Sequence, residues 1–505
     1  MSNFNADIYE EEQNVLQIRA NTTLSNVEKR EMICEIRKMS NFKKEGNSSM
    51  KTIMNLTNVN FGFTLLVFGL QFKTTGFLFG LIAFLIGLAI TLKTALLQLV
   101  HCKSQDMDFT EIVERVMGPK SRVIYILASI FYINLNVLIN FVYSADMLYS
   151  FVSYVADLNG VHLPGKDEFS FSTFSYQYSG IIMFFVYNAA FLIKDIKAIG
   201  ALGPVGVFSV FIVVIFSLVQ GILNMENASS VFHFEFNISD IAIFYASLAM
   251  GFFGHYYHLP IAKNNAKQEN NKRDLSLSFY LTGALFILDS IFGAIAIADQ
   301  KITDQASILD FFAKTWYIMV IRIMILIQLF TSVVFTTFLM KAKMWTLFPE
   351  DKEITTKMQL IVNFCFTIVW LMIQMFNVNI TILITFAGGL GAFLGIYFFP
   401  IFVHMKCIYS HSHQHSHKKT NIFEPDNGID ERLINDEDVS DHHHLSKNDR
   451  MESLMETYAS DSMKERCRSE HRGYMKTPKF LRSFVYGCFM IIGISVFIIR
   501  VYAMF

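Results

Sequence analysis

Apolar stretches near 52–71, 76–100, 122–153, 178–193, 198–223, 239–262, 275–298, 316–340, 358–376, 380–405 and 480–503 recur along the chain. Each approaches the roughly 20 residues that an α-helix needs to cross hydrocarbon. Lipid offers no partner to backbone polar groups, so such segments must bond internally as helices. The pattern therefore predicts an all-α integral membrane protein of about eleven transmembrane helices. Only 17% of residues are charged, against about 25% in soluble domains, which excludes a soluble fold. The stretch 122–153 exceeds one span, and the turn Asn377–Asn379 makes its two neighbours a tight antiparallel pair.

Lys and Arg orient these spans, because cytoplasmic loops carry the excess. With the N-terminus inside, the inner loops hold Lys103, Arg115, Lys120, Arg122, Lys194, Lys197, Lys263, Lys267, Lys272, Arg273, Lys341, Lys343, Lys352 and Lys357. The outer loops hold Lys166, Lys301 and Lys314. The predicted topology is N-terminus inside, C-terminus outside. The polar N-terminus lacks the apolar core of a cleaved signal peptide. None of the six cysteines falls in an outer loop or shows metal-finger spacing, so no structural disulfide is expected. Acceptor triplets for glycosylation begin at Asn227 and Asn237 in one outer loop, and at Asn21 and Asn47 on the inner side.

The first apolar stretch, NLTNVNFGFTLLVFGLQFKTTG at 55–76, is studded with Asn55, Thr57, Asn58, Asn60 and Thr64, and interrupted by Gly62 and Gly69. Small polar residues can serve as packing glue between membrane helices. The sixth stretch, however, is interrupted too, by Gly251 and Gly254 ahead of His255, His258 and Pro260. Two broken spans, each opening a set of five, predict a 5+5 inverted repeat around a midplane site. The eleventh span stands outside that repeat.

Breaking a helix at midplane exposes backbone groups, which is tolerable only around a cavity. The half-helix starting near Phe63 would turn its positive end to that cavity, a site suited to a carboxylate. Carbonyls from Asn58 to Phe61, and near Met250, suit an ammonium group or a cation. A ligand with both ends is matched by an α-amino acid. The candidate substrate residues are Asn58, Phe61, Gly62, Phe63, Thr64, Met250, Gly251 and Gly254.

Asn55, Asn58, Gly62, Phe72 and Gly76 resemble the opening motif of the amino acid/auxin permease family, with Thr64 and Gly69 standing where that motif has glycine and proline. Gly254, His255, Leu259, Pro260 and Ile261 are similar to its sixth-span motif, with Tyr256 in place of Glu. AGGLGAFLGIYFFPIF at 387–402 and DFTEIVERVMGPKSR at 108–122 also match its patterns. The resemblance covers roughly residues 50–405 and the last span. It implies a secondary active transporter of amino acids, expected to be neutral L-amino acids, driven by protons or sodium through alternating access.

His255 beside the second break is a candidate proton acceptor, or else a neutral imidazole bonded across the bundle. Thr331 and Ser332 in the eighth span could give hydroxyls to a sodium ion, or bond back to their own helix. Asp146, Asp289 and Arg322 are ionisable residues in or near spans, the last two able to satisfy each other or to line water. His258 is expected at the interface. Residues 1–50 read as a mostly disordered cytoplasmic tail with a short amphipathic helix near 25–40. Residues 51–405 read as a ten-helix core, 406–478 as a cytoplasmic loop, and 479–505 as the eleventh helix. That loop carries HSHQHSH at 411–417 and reads as disordered, with weak metal binding at His411, His413, His415 and His417 laid over it.

A zinc transporter is one alternative, but His255 and His258 are too few for a midplane zinc site. A transporter-like amino-acid sensor is another. No H-E-x-x-H, G-x-S-x-G or Walker A motif is present, so neither an enzyme nor an ATP-driven pump is expected, and no cofactor or nucleic acid. The expected partners are an amino acid, a coupling ion and the bilayer of a plasma, vacuolar or lysosomal membrane.

Overall fold

Ser48 accepts the Lys51 amide at 3.3 Å and starts α1 (Ser49–Asn60). The structure is a computed structural model that describes residues 46–407, apart from 104–105, 167, 194–198, 233–237, 253, 302–306, 348–354, 379 and 392. The tail through residue 45, the His-rich loop with its four candidate metal histidines, the eleventh span and Asn237 lie outside the described residues. At Phe61 the backbone turns extended (φ −82°, ψ 153°), and α2 (Thr64–Thr75) leaves at 59° to α1. Gly76, at φ 81°, reverses the chain into α3 (Phe77–Val100).

Asp108 caps α4 (Phe109–Met117), a short amphipathic helix, by accepting the Phe109 amide at 2.7 Å. Gly118 closes it at φ 93°, a conformation that favours glycine. Pro119 then opens α5 (Pro119–Leu158), where its fixed φ suits a first helical turn. With 40 residues, α5 is about 60 Å long and runs well past a hydrocarbon core of about 30 Å. The remaining helices are α6 (Tyr176–Ala190), α7 (Leu202–Leu223), α8 (Ile238–Gly251), α9 (His258–Lys263), α10 (Asn271–Ala296), α11 (Trp316–Trp345), α12 (Thr356–Met375) and α13 (Ile380–Phe386). After α13 the chain continues as π-helix over Ala387–Gly391 and Phe393–Phe398.

Among the described residues, seven helices are long and apolar enough to cross a membrane, eight with α1 and α2 counted as one bent span. The expected fourth span is the 15-residue α6. The expected sixth is split into α8 and α9. Among the described residues there is no β-strand, only a bridge of Asn47 with Asn265. The chain is an all-α integral membrane protein.

Contacts between connections sort the bundle into two ends. At the end where α1 begins, here called proximal, Asn47 exchanges backbone bonds with Asn264 and Ala266, and Lys263 reaches the Lys103 carbonyl at 2.7 Å. Lys343 pairs there with Asp108. At the distal end Phe77 bonds the Val231 carbonyl, and Asn224 reaches Ile295 at 2.8 Å. The helix α4 lies between the second and third spans at the proximal end. A 3-10 turn, Ile308–Phe311, holds the matching place between α10 and α11 at the distal end.

Lipid-facing and core-facing surfaces follow from helical periodicity. On α3, Leu78, Ile82 and Leu85 form an exposed apolar stripe. The peripheral α12 turns its polar side inward: Asn363, Thr367, Trp370 and Gln374 are buried. Of these, Thr367 meets Asn188, Trp370 meets Asn134 and Gln374 meets the Tyr176 carbonyl. Interhelical bonds of this kind contribute about 0.6 kcal/mol each.

Candidate functional site

The first break spans Phe61, Gly62 and Phe63. The Phe63 amide donates to Asn140 Oδ1 on α5 at 2.9 Å. Asn140 Nδ2 donates to the Asn136 carbonyl and to Asn136 Oδ1, at 2.9 and 2.8 Å. Asn136 in turn reaches the Tyr257 hydroxyl at 3.4 Å, so a chain of amides on α5 joins the two breaks. Gly62 is required here, since a Cβ would lie 2.7 Å from Asn140 Oδ1.

Beside the first break, α1 meets α11. Ser332 Oγ donates to the Phe61 carbonyl at 3.1 Å, and Thr331 Oγ1 lies 3.3 Å from Asn58 Oδ1. Thr331 also reaches the Gln328 carbonyl of its own helix at 2.9 Å. The two hydroxyls thus make both kinds of contact open to them, across to α1 and back to α11. Thr331 Oγ1 groups with oxygens of Asn58 and Gln328, and Ser332 Oγ with that of Phe61, oxygen donors of the kind a hard cation takes. Gly206 on α7 packs against this cluster, where any Cβ would overlap Asn58 Oδ1 and Thr331 Oγ1.

The second break runs from Phe252 to Tyr257, with Gly251 seated against Phe68 and Phe286 and Met250 buried beside it. His255 does not join the oxygen cluster. Its Nε2 sits 2.8 Å from Thr94 Oγ1 on α3, the bonded arrangement of a structural imidazole. His258 departs from expectation: it is only 1% exposed, not interfacial. Gly254 is the physical reason, because the His258 ring fills the space a side chain there would take and packs on Phe279 at 5.2 Å.

Several buried polar atoms around the first break have no hydrogen-bond partner among the described residues. They are Asn58 Nδ2, both polar atoms of Asn60, Thr64 Oγ1 and both polar atoms of Gln328. Aromatic rings close the space around them. Phe286 on α10 touches Phe61, Phe68 and Phe252 at centroid distances of 4.9, 4.8 and 5.7 Å. Phe63 stacks on Tyr143 at 5.9 Å toward the distal end. On the proximal side Asn55, Pro260, Ile261, Asn264 and Phe335 bound a narrow cleft.

Further out on the distal side lies a charge cluster. Arg322 donates to Asp310 at 2.9 Å and to Ser150 at 3.0 Å, and Lys166 pairs with Asp146 at 2.5 Å and with Asp310 at 3.8 Å. Arg322 and Asp289 therefore do not satisfy each other. Asp289 accepts from Ser217 on α7 instead. Asn227 is exposed at the distal end. Among the described residues, no three His, Cys, Asp or Glu side chains come together as a metal site.

The chain matches the family described as transmembrane amino acid transporter protein over residues 45–424, which takes in both breaks and every described helix. It belongs to that family. No curated protein matches the chain. As a member of the transmembrane amino acid transporter family, the protein has an amino acid as its substrate class. Asn136, Asn140, Gln328 and Phe286 also lie at the candidate site, and the sequence reading did not single them out. One signal was available for the first pair: NLNVLIN at 134–140 places two amides four apart, on one face of a helix.

Proposed function

We propose that the protein is a secondary active transporter of neutral L-amino acids, coupled to sodium and working by alternating access about its two broken spans. The observation that carries this reading is the group of buried, unpartnered amides and hydroxyls at the first break: Asn58, Asn60, Thr64 and Gln328. Folded proteins pair nearly all buried polar atoms, so a concentration of unpaired ones calls for a reason. A polar ligand supplies it. The amino group meets the carbonyls of the Asn58–Phe61 turn. The carboxylate takes the Phe63 amide when the Asn140 side chain yields it. The side chain lies among Phe61, Phe252 and Phe286, with Met250, Gly251 and Gly254 shaping the far wall.

Amides, hydroxyls, imidazoles and phenyl rings surround the breaks, and this favours a ligand with an uncharged side chain. Sodium sits between Asn58, Phe61, Thr331 and Ser332. His255, tied to Thr94, serves as a structural link between α3 and the second break.

The Lys and Arg of the proximal end support a cytoplasmic position for it. The tail and the 406–478 loop then flank the ten-helix core on that side, with the eleventh helix crossing outward. Uptake of a panel of labelled amino acids into proteoliposomes under imposed sodium or proton gradients tests the reading. Sodium-driven accumulation of neutral L-amino acids is the expected result. Binding without uptake would sink the transport reading and leave a sensor.

A further inference from the structure

Asp289 sits on α10, one turn beyond Phe286, the ring that touches both breaks. It is 1% exposed. Ser217 on α7 donates to its Oδ1 at 2.7 Å, and Oδ2 has no partner. Among the described residues no cation pairs with it. The 3-10 turn Ile308–Phe311, whose Ile308 packs on Gly293, carries Asp310, and that carboxylate holds Arg322 and Lys166 to itself. The helix α7 carries no charged residue. On α2 the single charge is Lys73, whose ammonium is engaged past the end of α10 with the Ile297 and Gln300 carbonyls. On α1 the single charge is Lys51, at the proximal start. On α3 it is Lys93, on the proximal side of the Leu88–Gly283 contact. His258 of α9 packs on Phe279, ten residues before Asp289, and Lys263 ends α9 at the proximal loops. Glu226, in the 3-10 turn Met225–Ser230, is exposed at the distal end. On α10 itself, Lys272, Arg273 and Asp274 lie in the first turn.

A carboxylate buried with one hydroxyl donor and no countercharge is strongly disfavoured, whereas the neutral acid loses one hydrogen bond. Asp289 is seven residues from the end of α10, about 10 Å from the distal loops, so a modest opening of the α7–α10 interface would wet it.

We propose that Asp289 is a proton-binding site of the transport cycle, separate from the Thr331–Ser332 cluster. It holds a proton while α7 and α10 are closed over it and gives that proton to water when they part. The proton binds to and leaves one carboxyl oxygen, and no other group changes. This rests on the transport reading above.

Two measurements test it on the full chain. Infrared spectra of the purified protein at neutral pH should contain a protonated carboxylic acid band that Asp289→Asn removes. This readout needs no transport. Proteoliposomes with a pH-sensitive dye inside, given a mixture of labelled neutral L-amino acids as probe, should show substrate-dependent proton movement in the wild type. Asp289→Asn should lose it, and the ratio of pH-driven accumulation to counterflow should fall with it. An infrared spectrum unchanged by Asp289→Asn overturns the proposal, as does a variant that moves protons like the wild type. Absence of counterflow in the wild type would overturn the transport reading itself.

Discussion

Asn140 on α5 accepts the Phe63 amide at 2.9 Å while its own amide nitrogen is committed to Asn136. A side chain 77 residues away thus caps the half-helix that opens toward the site. Asn140→Leu keeps the volume and removes the acceptor, leaving a buried backbone donor unpaired. The expected cost is about 1–3 kcal/mol, read as a lower thermal midpoint of the purified protein. An unchanged midpoint would show that the Phe63 amide finds another partner.

The contact of Ser332 with the Phe61 carbonyl and of Thr331 with Asn58 makes a second prediction. Thr331→Ala and Ser332→Ala should each raise the sodium concentration for half-maximal uptake by roughly tenfold or more, equivalent to about 1.4 kcal/mol. Thr331→Ser should remain near the wild type. Gly206→Ala, which forces a methyl group onto Asn58 and Thr331, should weaken sodium dependence in the same direction. Sodium curves that superimpose across this series would remove the ion from this site.

The spans were legible because about 20 apolar residues have few other fates, and the first break because Asn58, Asn60 and Gly62 make a poor lipid-facing helix. Pairings were not legible, since they depend on which distant helix arrives. Asp289 and Arg322 could be expected to meet, yet Arg322 turns to Asp310 on the distal 3-10 turn and Asp289 to Ser217. His258 was misplaced because its burial depends on the void over Gly254. The π-helical pieces Ala387–Gly391 and Phe393–Phe398 also escaped notice, because Gly388 closes on Ala246 and Gly391 on Tyr132 only after folding.

His255 bonded to Thr94 sets a third expectation. A pair that only ties α3 to the second break should tolerate His255→Gln, which keeps a hydrogen-bonding group. Uptake should persist with its pH dependence intact. A flattened pH profile in this variant would give His255 a proton-handling role instead.

The distal charge cluster yields a pH prediction. Burial works to raise the Asp310 carboxyl, but Lys166 and Arg322 outweigh it and hold the group below its ordinary value of 3.8. Burial works to lower the Lys166 ammonium, but Asp146 and Asp310 outweigh it and raise the group above 10.5. Asp310, depressed on folding, stabilises the protein above the unfolded value and loses that contribution as pH falls through the folded one. Lys166, raised on folding, stabilises below 10.5 and loses its share as pH rises through the folded value. The Arg322–Asp310 pair should therefore stay closed at the pH of about 5 reached in acidic compartments. Melting curves of the wild type and Arg322→Gln should keep a constant gap from that pH to neutrality, and the gap should narrow only below the ordinary carboxyl range. A gap that closes at mildly acidic pH would mean the cluster is a proton-operated gate.

Asn227 tests the orientation of the bundle. It is exposed in the 3-10 turn Met225–Ser230, at the end opposite the lysine-rich loops. If that end faces the lumen or the exterior, a glycosylating enzyme can reach it and one that stays in the cytoplasm cannot. The expected outcome is a glycosidase-sensitive mass shift in the protein expressed in eukaryotic cells, absent from Asn227→Gln. Two controls separate orientation from mere access to the site. An acceptor triplet inserted in the distal 161–165 segment should be modified, while one in the proximal 268–270 turn should not. Modification of the proximal insert alone would invert the topology, and with it the direction in which Lys263, Lys343 and the other proximal cations face.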